Sequence, residues 1–591
     1  PPPPPPPSLQ AEDGIRDPDH SLVGSEMCIR DRGTVVLAGT RIKDARQVLL
    51  DRGGVNVKGI KPIDDRKVEL ELDVPEGTRP GLYPLRLVTE TGLSNVIMFA
   101  VGAMPQVNEA EPNSEFSTPQ VISNNVTIEG VVAREDEDYY AVTLKQGEPL
   151  TAEIEGVRIK KGRSNPFFDP YVAILDSDRF ELATSDDAPL LQQDCVCSIR
   201  APKDGTYLVV VRDSSFGGNN DRYRLHVGTY PRPIAVVPAG GPPGELVDMT
   251  FTDLHGDAWI EKVQLPSEVS EAYPLVVSSD SGTSPSPNYI RVQPMPNVIE
   301  QEPNNSFKES TAGELPSAFC GILGEPGDVD FFSFDAKKGQ TAQFRVFGRK
   351  VLRSAVDSVI NIYNDKGGRV GGNDDAGGGR PDSLLNYKIP ADGKYHLAIN
   401  DHLRGGGPGY AYRIETKLST PQLTLSLPDR RRYEATQINV PQGNRAAVMI
   451  NASRQGFGGA IDIEALNLPE GVTVTPIQMP GNRTTVPLLL TAGDDAELAG
   501  RLVDFVGKVV DNPNVASQFT QRHQLLIGRN NSVVYDYNAD RGAVSVINKL
   551  PCTIEVVQPQ VPIVRNGSSH LVVKVNRQDF DSEISVRMLY N

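Results

Sequence analysis

One stretch of the chain occurs twice, and that repeat limits the fold more than any other feature. Val107-Asn108-Glu109-Ala110-Glu111-Pro112-Asn113 leads on to Glu135-Asp136-Glu137-Asp138-Tyr139-Tyr140. Val298-Ile299-Glu300-Gln301-Glu302-Pro303-Asn304 leads on to Gly327-Asp328-Val329-Asp330-Phe331-Phe332. Glu111 and Glu302 are 191 positions apart, Asp136 and Asp328 192. The likeness extends outward. Tyr273-Pro274-Leu275 lies 190 beyond Tyr83-Pro84-Leu85, and Asp392-Gly393-Lys394-Tyr395 lies 188 beyond Asp204-Gly205-Thr206-Tyr207. A two-domain unit of about 190 residues therefore stands twice in tandem.

Each copy gathers carboxylates and amides and then runs from Asp-x-Asp into an aromatic strand. Oxygen donors grouped this way suit a hard cation such as Ca²⁺, which takes several carboxylate and carbonyl oxygens in loose geometry. The plain alternative is two acidic turns, since Asp, Asn, Pro and Glu are ordinary loop residues.

The 591 residues allow four to six small β-rich domains. With 59 basic and 76 acidic side chains the net charge is −17, which argues against a nucleic-acid partner. No apolar run reaches the length of a membrane span. Cys28, Cys195, Cys197, Cys320 and Cys552 contain no Cys-x-x-Cys pair, so they read as core or surface residues and not as a disulfide framework or zinc site.

Taken in order, residues 1–32 read unlike the rest. A proline run and Ala11-Glu12-Asp13-Gly14-Ile15-Arg16-Asp17 resemble translated sequencing adapter, so the segment is expected to be an artefact and disordered. Without it the net charge is −14. The expected fold is all-β: a tandem array of β-sandwich domains. Alternating strands such as Val68-Glu69-Leu70-Glu71-Leu72 predict an immunoglobulin-like sandwich over 33–107, repeated over 229–298. The acidic-motif modules take 108–228 and 299–416, with Asp-Gly turns before aromatic strands. A further immunoglobulin-like β domain covers 421–530, and 544–591 reads as the start of another that is cut short.

The Glu-x-Glu-Pro-Asn opening, the Asp-x-Asp-aromatic pair, the Asp-Asp-Ala turn and the Asp-Gly-x-Tyr strand together resemble the bacterial pre-peptidase C-terminal domain family, over roughly 108–228 and 299–416. With immunoglobulin-like neighbours the arrangement is similar to the large surface proteins of planctomycete-type bacteria. The resemblance implies a jelly-roll-like sandwich outside the catalytic domain of secreted peptidases, and an extracytoplasmic location. It also implies a calcium site: Glu109, Glu111, Asn113 and Asp136 in the first copy, and Glu300, Glu302, Asn304 and Asp328 in the second. Asp138 and Asp330 are further ligands on this reading. Ser114 departs from the Asp or Asn usual after the motif and Asn305 keeps it, which makes the first site the weaker of the two.

No catalytic constellation is expected. The seven histidines form no His-Glu-x-x-His, and neither a Gly-x-Ser-x-Gly elbow nor a phosphate loop is present. The glycine-rich stretches 371–379 and 405–409 read as hairpin loops. Trp259 reads as a core or edge residue, and Tyr410 and Tyr412 as exposed aromatics that either contact a ligand or pack on strands. Two functions fit. One is a non-catalytic surface or secreted protein whose modules bind extracellular protein or polysaccharide, or act as spacers. The other is the accessory part of a secreted peptidase whose catalytic domain lies outside these residues.

Overall fold

The computed structural model of the chain describes residues 32–558, apart from 161, 164–167, 219, 378–380, 419–420, 432 and 529–530. It adds the pairs 23–24 and 28–29 and parts of 566–584. The chain is all-β and folds as successive β-sandwiches. Among the described residues the one helical element is a short 3-10 turn, Pro189–Leu191.

The first sandwich packs two four-stranded sheets. Lys67–Asp73 shows how the sequence builds it: Val68, Leu70 and Leu72 alternate inward with charged residues outward, and all three are fully buried. Two parts of the segment read as artefact do join this sandwich. Val23–Gly24 pairs with Leu37 and Ala38, and Cys28–Ile29 pairs with Ala100 and Val101. Extended dipeptides supply edge hydrogen bonds whatever their side chains. The rest of residues 1–31 lies outside the described residues.

The next module has ten strands: β1 (Gln106–Asn108), β2 (Gln120–Val121), β3 (Val126–Val132), β4 (Glu137–Leu144), β5 (Pro149–Glu155), β6 (Pro170–Leu175), β7 (Glu181–Ser185), β8 (Val196–Arg200), β9 (Gly205–Asp213) and β10 (Asp221–Gly228). Its sheets run β1-β3-β10-β5-β8 and β2-β4-β9-β6-β7. The fourth sandwich has β11 (Asn297–Ile299), β12 (Thr311–Ala312), β13 (Ala318–Ile322), β14 (Val329–Ala336), β15 (Thr341–Phe347), β16 (Ser358–Asn364), β17 (Arg369–Asn373), β18 (Leu384–Lys388), β19 (Gly393–Asp401) and β20 (Ala411–Leu418). Its sheets run β11-β13-β20-β15-β18 and β12-β14-β19-β16-β17, the same order position for position. In both, the strand after Asp-x-Asp turns alternate side chains inward: Tyr140, Val142 and Leu144 in β4, Phe332, Phe334 and Ala336 in β14. Burying each large apolar side chain contributes about 1.5–3 kcal/mol.

Between these two modules sits a smaller sandwich of two three-stranded sheets, where Trp259 stacks on Phe251 at 5.6 Å between ring centroids. The fifth sandwich extends further than the sequence suggested. Gly542–Ile547 runs parallel to Ile438–Pro441 and antiparallel to Gly500–Val509, with Val544 and Val546 in the core. Residues 544–547 therefore close the fifth sandwich and do not open a new one. The preceding strand Val533–Ala539, which falls between the two expected domains, buries only part of each face. Beyond it, Cys552–Val557 and Val572–Arg577 form a hairpin.

The array folds back on itself. Val96 and Met98 of the first sandwich, Val157 of the second, and Leu525, Leu526 and Tyr535 of the fifth share one apolar cluster. Gly162–Arg163 also adds two residues beside Leu526–Ile527. Cys195, Cys197, Cys320 and Cys552 are buried free thiols.

Candidate metal centres

In each ten-stranded module the first strand belongs to one sheet and the second to the other, so the chain between them must cross the open side of the sandwich. That crossing carries the acidic motif. The Glu111–Pro112 and Glu302–Pro303 peptide bonds are both cis. The Asn113 carbonyl accepts from the Tyr139 amide at 3.0 Å, and the Asn304 carbonyl from the Phe331 amide at 3.0 Å, which fastens the crossing to β4 and to β14. Glu111 folds back to accept from the Asn113 amide at 3.0 Å, and Glu302 from the Asn304 amide at 2.9 Å.

The carboxylates of Glu111, Asp136 and Asp138 come together, with one oxygen from each within 4.8 Å of the others. In the second module the group is Glu300, Glu302 and Asp330. Asp138 and Asp330 face inward at the start of their strands because the pleat points the first and third residues of Asp-x-Asp to the same face. The residue before the first Asp turns left-handed in both copies, Glu135 at φ 59° and Gly327 at φ 90°.

The remaining motif residues hold these groups in place. Glu109 accepts from the Val131 amide at 2.9 Å and from the Tyr140 hydroxyl at 3.0 Å. Glu300 accepts from the Ile322 amide at 2.8 Å, and its Oε2 lies 2.9 Å from the Tyr412 hydroxyl oxygen. Asp136 accepts from the Ala133 amide and from Ser114 Oγ, both at 3.1 Å. Asp328 is tied into its own loop by the Gly324 amide at 2.7 Å and its own Val329 amide at 2.8 Å. It stands outside the second carboxylate group. Asn305 is exposed, and with its amide turned to donate it reaches Asp328 Oδ1 at 2.7 Å, so it braces Asp328 as Ser114 braces Asp136.

Several buried atoms beside these groups lack hydrogen-bond partners among the described residues: Oδ1 of Asn113 and Asp138 in the first module, and Oδ1 of Asn304 and Asp330 with Asn304 Nδ2 in the second. Leaving a buried acceptor without a donor costs roughly 1–3 kcal/mol. Asp138 is pushed up to about 9, first by burial and then by the charge of Glu109, against a lowering hydrogen bond from Tyr223. Asp330 is likewise pushed up to about 9 by burial and by Glu300, and burial raises Glu300 too. A positive ion would reverse each of these penalties. The donors are all oxygen, which fits a hard divalent cation and not zinc or copper.

Four site residues were not foreseen. Tyr223 and Tyr412 are fully buried, and their hydroxyls donate to Asp138 at 2.7 Å and Asp330 at 2.6 Å. Tyr412 is thus no exposed ligand platform. Gly130 and Gly321 leave room for them: a Cβ at Gly130 would lie 2.3 Å from Tyr223, and one at Gly321 2.0 Å from the Glu300 carboxylate. The signal was present in the repeat spacing, since Gly130 and Gly321 are 191 apart and Tyr223 and Tyr412 189 apart.

Fold and site together define an all-β multidomain protein in which two sandwiches each bring together three carboxylates at a crossing segment, one buried, one half-buried and one exposed. Residues 136–213 match the family model described as "Bacterial pre-peptidase C-terminal domain", a non-catalytic domain type. The matched span takes in Asp136 and Asp138 and starts after Glu109 and Glu111. A probable subtilase-type serine protease of Deinococcus radiodurans is 36% identical over 106 residues, which is 17% of this chain and 14% of that protein. The pre-peptidase C-terminal domain of a Bacillus anthracis collagenase is 16% identical, with 20% of this chain and 100% of that one covered and a TM-score of 0.16. Salmonella Typhimurium PliG, a periplasmic inhibitor of g-type lysozyme, is 18% identical, with coverage of 21% and 98% and a TM-score of 0.12.

Proposed function

We propose that the chain is a non-catalytic, extracytoplasmic array in which both ten-stranded modules are pre-peptidase C-terminal domains that bind calcium. On this reading the smaller sandwiches are immunoglobulin-like spacers or binding modules for extracellular protein or polysaccharide. The second copy is supported by its identical strand order and by a carboxylate group, Glu300, Glu302 and Asp330, in which Glu302 and Asp330 repeat Glu111 and Asp138. The observation that carries the metal assignment is the set of buried oxygens without donors beside three converging carboxylates. Glu111, Asp136, Asp138 and Asn113 would hold the first ion, and Glu300, Glu302, Asp330 and Asn304 the second. The bound ion would supply charge compensation. It would pin the crossing segment to the sandwich by mass action, worth about 2.7 kcal/mol at a hundredfold excess over Kd.

A second reading, an accessory region of a secreted peptidase, rests on the protease relative, of which this chain spans about 14%. Both readings share the calcium claim, which melting curves of the full chain test. Calcium over chelator should raise the melting temperature of the two modules. Asp138→Asn should remove that rise in the first module and Asp330→Asn in the second. Equal melting with and without calcium in the unsubstituted chain would end the metal assignment.

A further inference from the structure

An open groove of about 660 Å³ lies between the third and fourth sandwiches, within the range of ligand sites. Its walls are Pro238, Pro242, Pro294 and Pro296 together with Leu246 and Ile299. Leu246 is 59% exposed and Ile299 46%. In the first copy the chain carries Asn56 and Asn108 at the same places, 190 and 191 positions earlier. The apolar lining is therefore particular to this junction and is not required by the repeated pattern.

One side of the groove is a free sheet edge. Among the described residues β11 is the edge strand of its sheet and pairs with β13 alone. The Pro296 carbonyl accepts from the Ala318 amide at 2.9 Å, and the Glu300 amide donates to the Cys320 carbonyl at 3.0 Å. Alternate residues of a strand turn their backbone groups to opposite sides, so the N–H and C=O of Asn297 and Ile299 face away from β13. Asn297 and Ile299 are also the residues of β11 that line the groove. The Asn297 amide is committed elsewhere: Nδ2 donates to the Gly240 carbonyl at 2.8 Å, and Oδ1 accepts from Arg413 at 2.6 Å. Glu245 and Asp248 stand exposed on the rim. Among the described residues neither forms an ion pair, even with Lys262 across the ladder from Asp248. The first copy has Lys58 in the place of Asp248.

A saccharide would find neither an aromatic face nor a free side-chain donor among the lining residues. An extended peptide meets all three features at once. Its main chain pairs with Ile299, its alternate side chains lie on Leu246 and the prolines, and a basic side chain reaches Glu245 or Asp248. We propose that this groove binds an extended segment of another protein, added as a strand beside β11, with apolar residues at alternate positions and a lysine or arginine among the others. Binding here rests on the reading of the smaller sandwiches as binding modules and not on calcium, since the groove shares no residue with either carboxylate group.

Panning a phage library of random heptapeptides on the full chain, followed by calorimetry with the synthetic consensus peptide, tests this. Selected peptides should alternate apolar residues and carry Lys or Arg. The double variant Leu246→Asn, Ile299→Asn should bind the consensus at least about tenfold more weakly, as expected for loss of two apolar contacts. Both residues are exposed, so this variant should keep the parent melting temperature. The pair Glu245→Gln, Asp248→Asn should weaken binding about two- to fivefold. N-methylation of the peptide separates strand pairing from plain apolar adhesion. Methyl groups on alternate residues in one phase should abolish binding, and those in the other phase should leave it nearly unchanged, because an added strand turns only alternate amides toward β11. No enriched consensus, or equal loss in both N-methyl phases, would overturn the proposal. So would a parent chain that dimerises where the double variant stays monomeric, since a second copy would then fill the groove. Peptides that bind the parent and the double variant alike would remove this site while leaving the binding-module reading in place.

Discussion

At the scale of single residues, buried charge divides into two kinds. Among the described residues no cationic side chain forms an ion pair with Asp138 or Asp330, whereas Glu415 pairs with two arginines. Arg291 of the third sandwich reaches Glu415 at 2.7 Å, and Arg413 reaches it at 3.1 Å. Burial would raise the Glu415 carboxyl, but the hydrogen bonds and charges of Arg291 and Arg413 more than offset it and hold the group below its usual range. A carboxyl depressed in the folded state contributes stability that is complete above its unfolded pKa, about 4.3 for Glu, and is lost as pH falls through the folded value. Glu415→Gln should therefore cost on the order of 3–5 kcal/mol near pH 7, because buried Arg413 loses its carboxylate and buried Arg291 keeps only the exposed Glu271. It should also flatten the acid side of the stability curve. Melting temperatures from pH 7 down to 3 check this, and parallel curves for variant and parent would contradict it. The sequence made the oxygen-bearing residues visible, because chemistry and spacing recur together. It did not show which of them converge. Asp328 and Asp136 are equivalent in sequence, yet the Gly324 amide draws Asp328 into its own loop. Nor did it show that Ser114 and Asn305 act as braces.

At the scale of elements, the repeated strand order follows from patterns the sequence displays openly. Asp-Gly turns precede β9 and β19, and period-two alternation marks β4 and β14. Close approach between strands is not displayed, because it depends on what stands opposite. Gly321 in β13 faces Tyr412 in β20 directly across the ladder, and Glu300 folds over the same spot. Gly321→Ala should push out the Glu300 carboxylate or the Tyr412 hydroxyl. The expected cost is roughly 1–3 kcal/mol of overpacking, together with loss of the calcium-induced rise in melting temperature of the second module alone. An alanine variant that melts and responds to calcium like the parent would show that the cluster tolerates a displaced Glu300. Short edge strands were also hard to read: Gln120–Val121 and Thr311–Ala312 have two residues each and no periodicity to detect.

At the scale of the whole molecule, the sequence suggests beads on a string, and the structure closes the string. Contacts between domains leave no periodic trace, so Leu49, Val88 and Leu93 gave no sign that they pack against Ala543 and Leu502. Gln47 also accepts from the Gly500 amide at 2.9 Å. Ala543 faces this contact while Val544 and Val546 face the fifth core, so Ala543→Glu should part the first and fifth sandwiches without unfolding either. A larger radius of gyration by small-angle scattering with an unchanged circular dichroism spectrum is the expected outcome, and an unchanged radius would argue against closure. On the proposed function, two sandwiches each hold a cation at a crossing segment. Counting bound calcium per chain by equilibrium dialysis tests it most directly. The account predicts two ions in the parent, one in Asp138→Asn, one in Asp330→Asn and none in the double variant; a parent that binds none, or variants that bind as many as the parent, would contradict it.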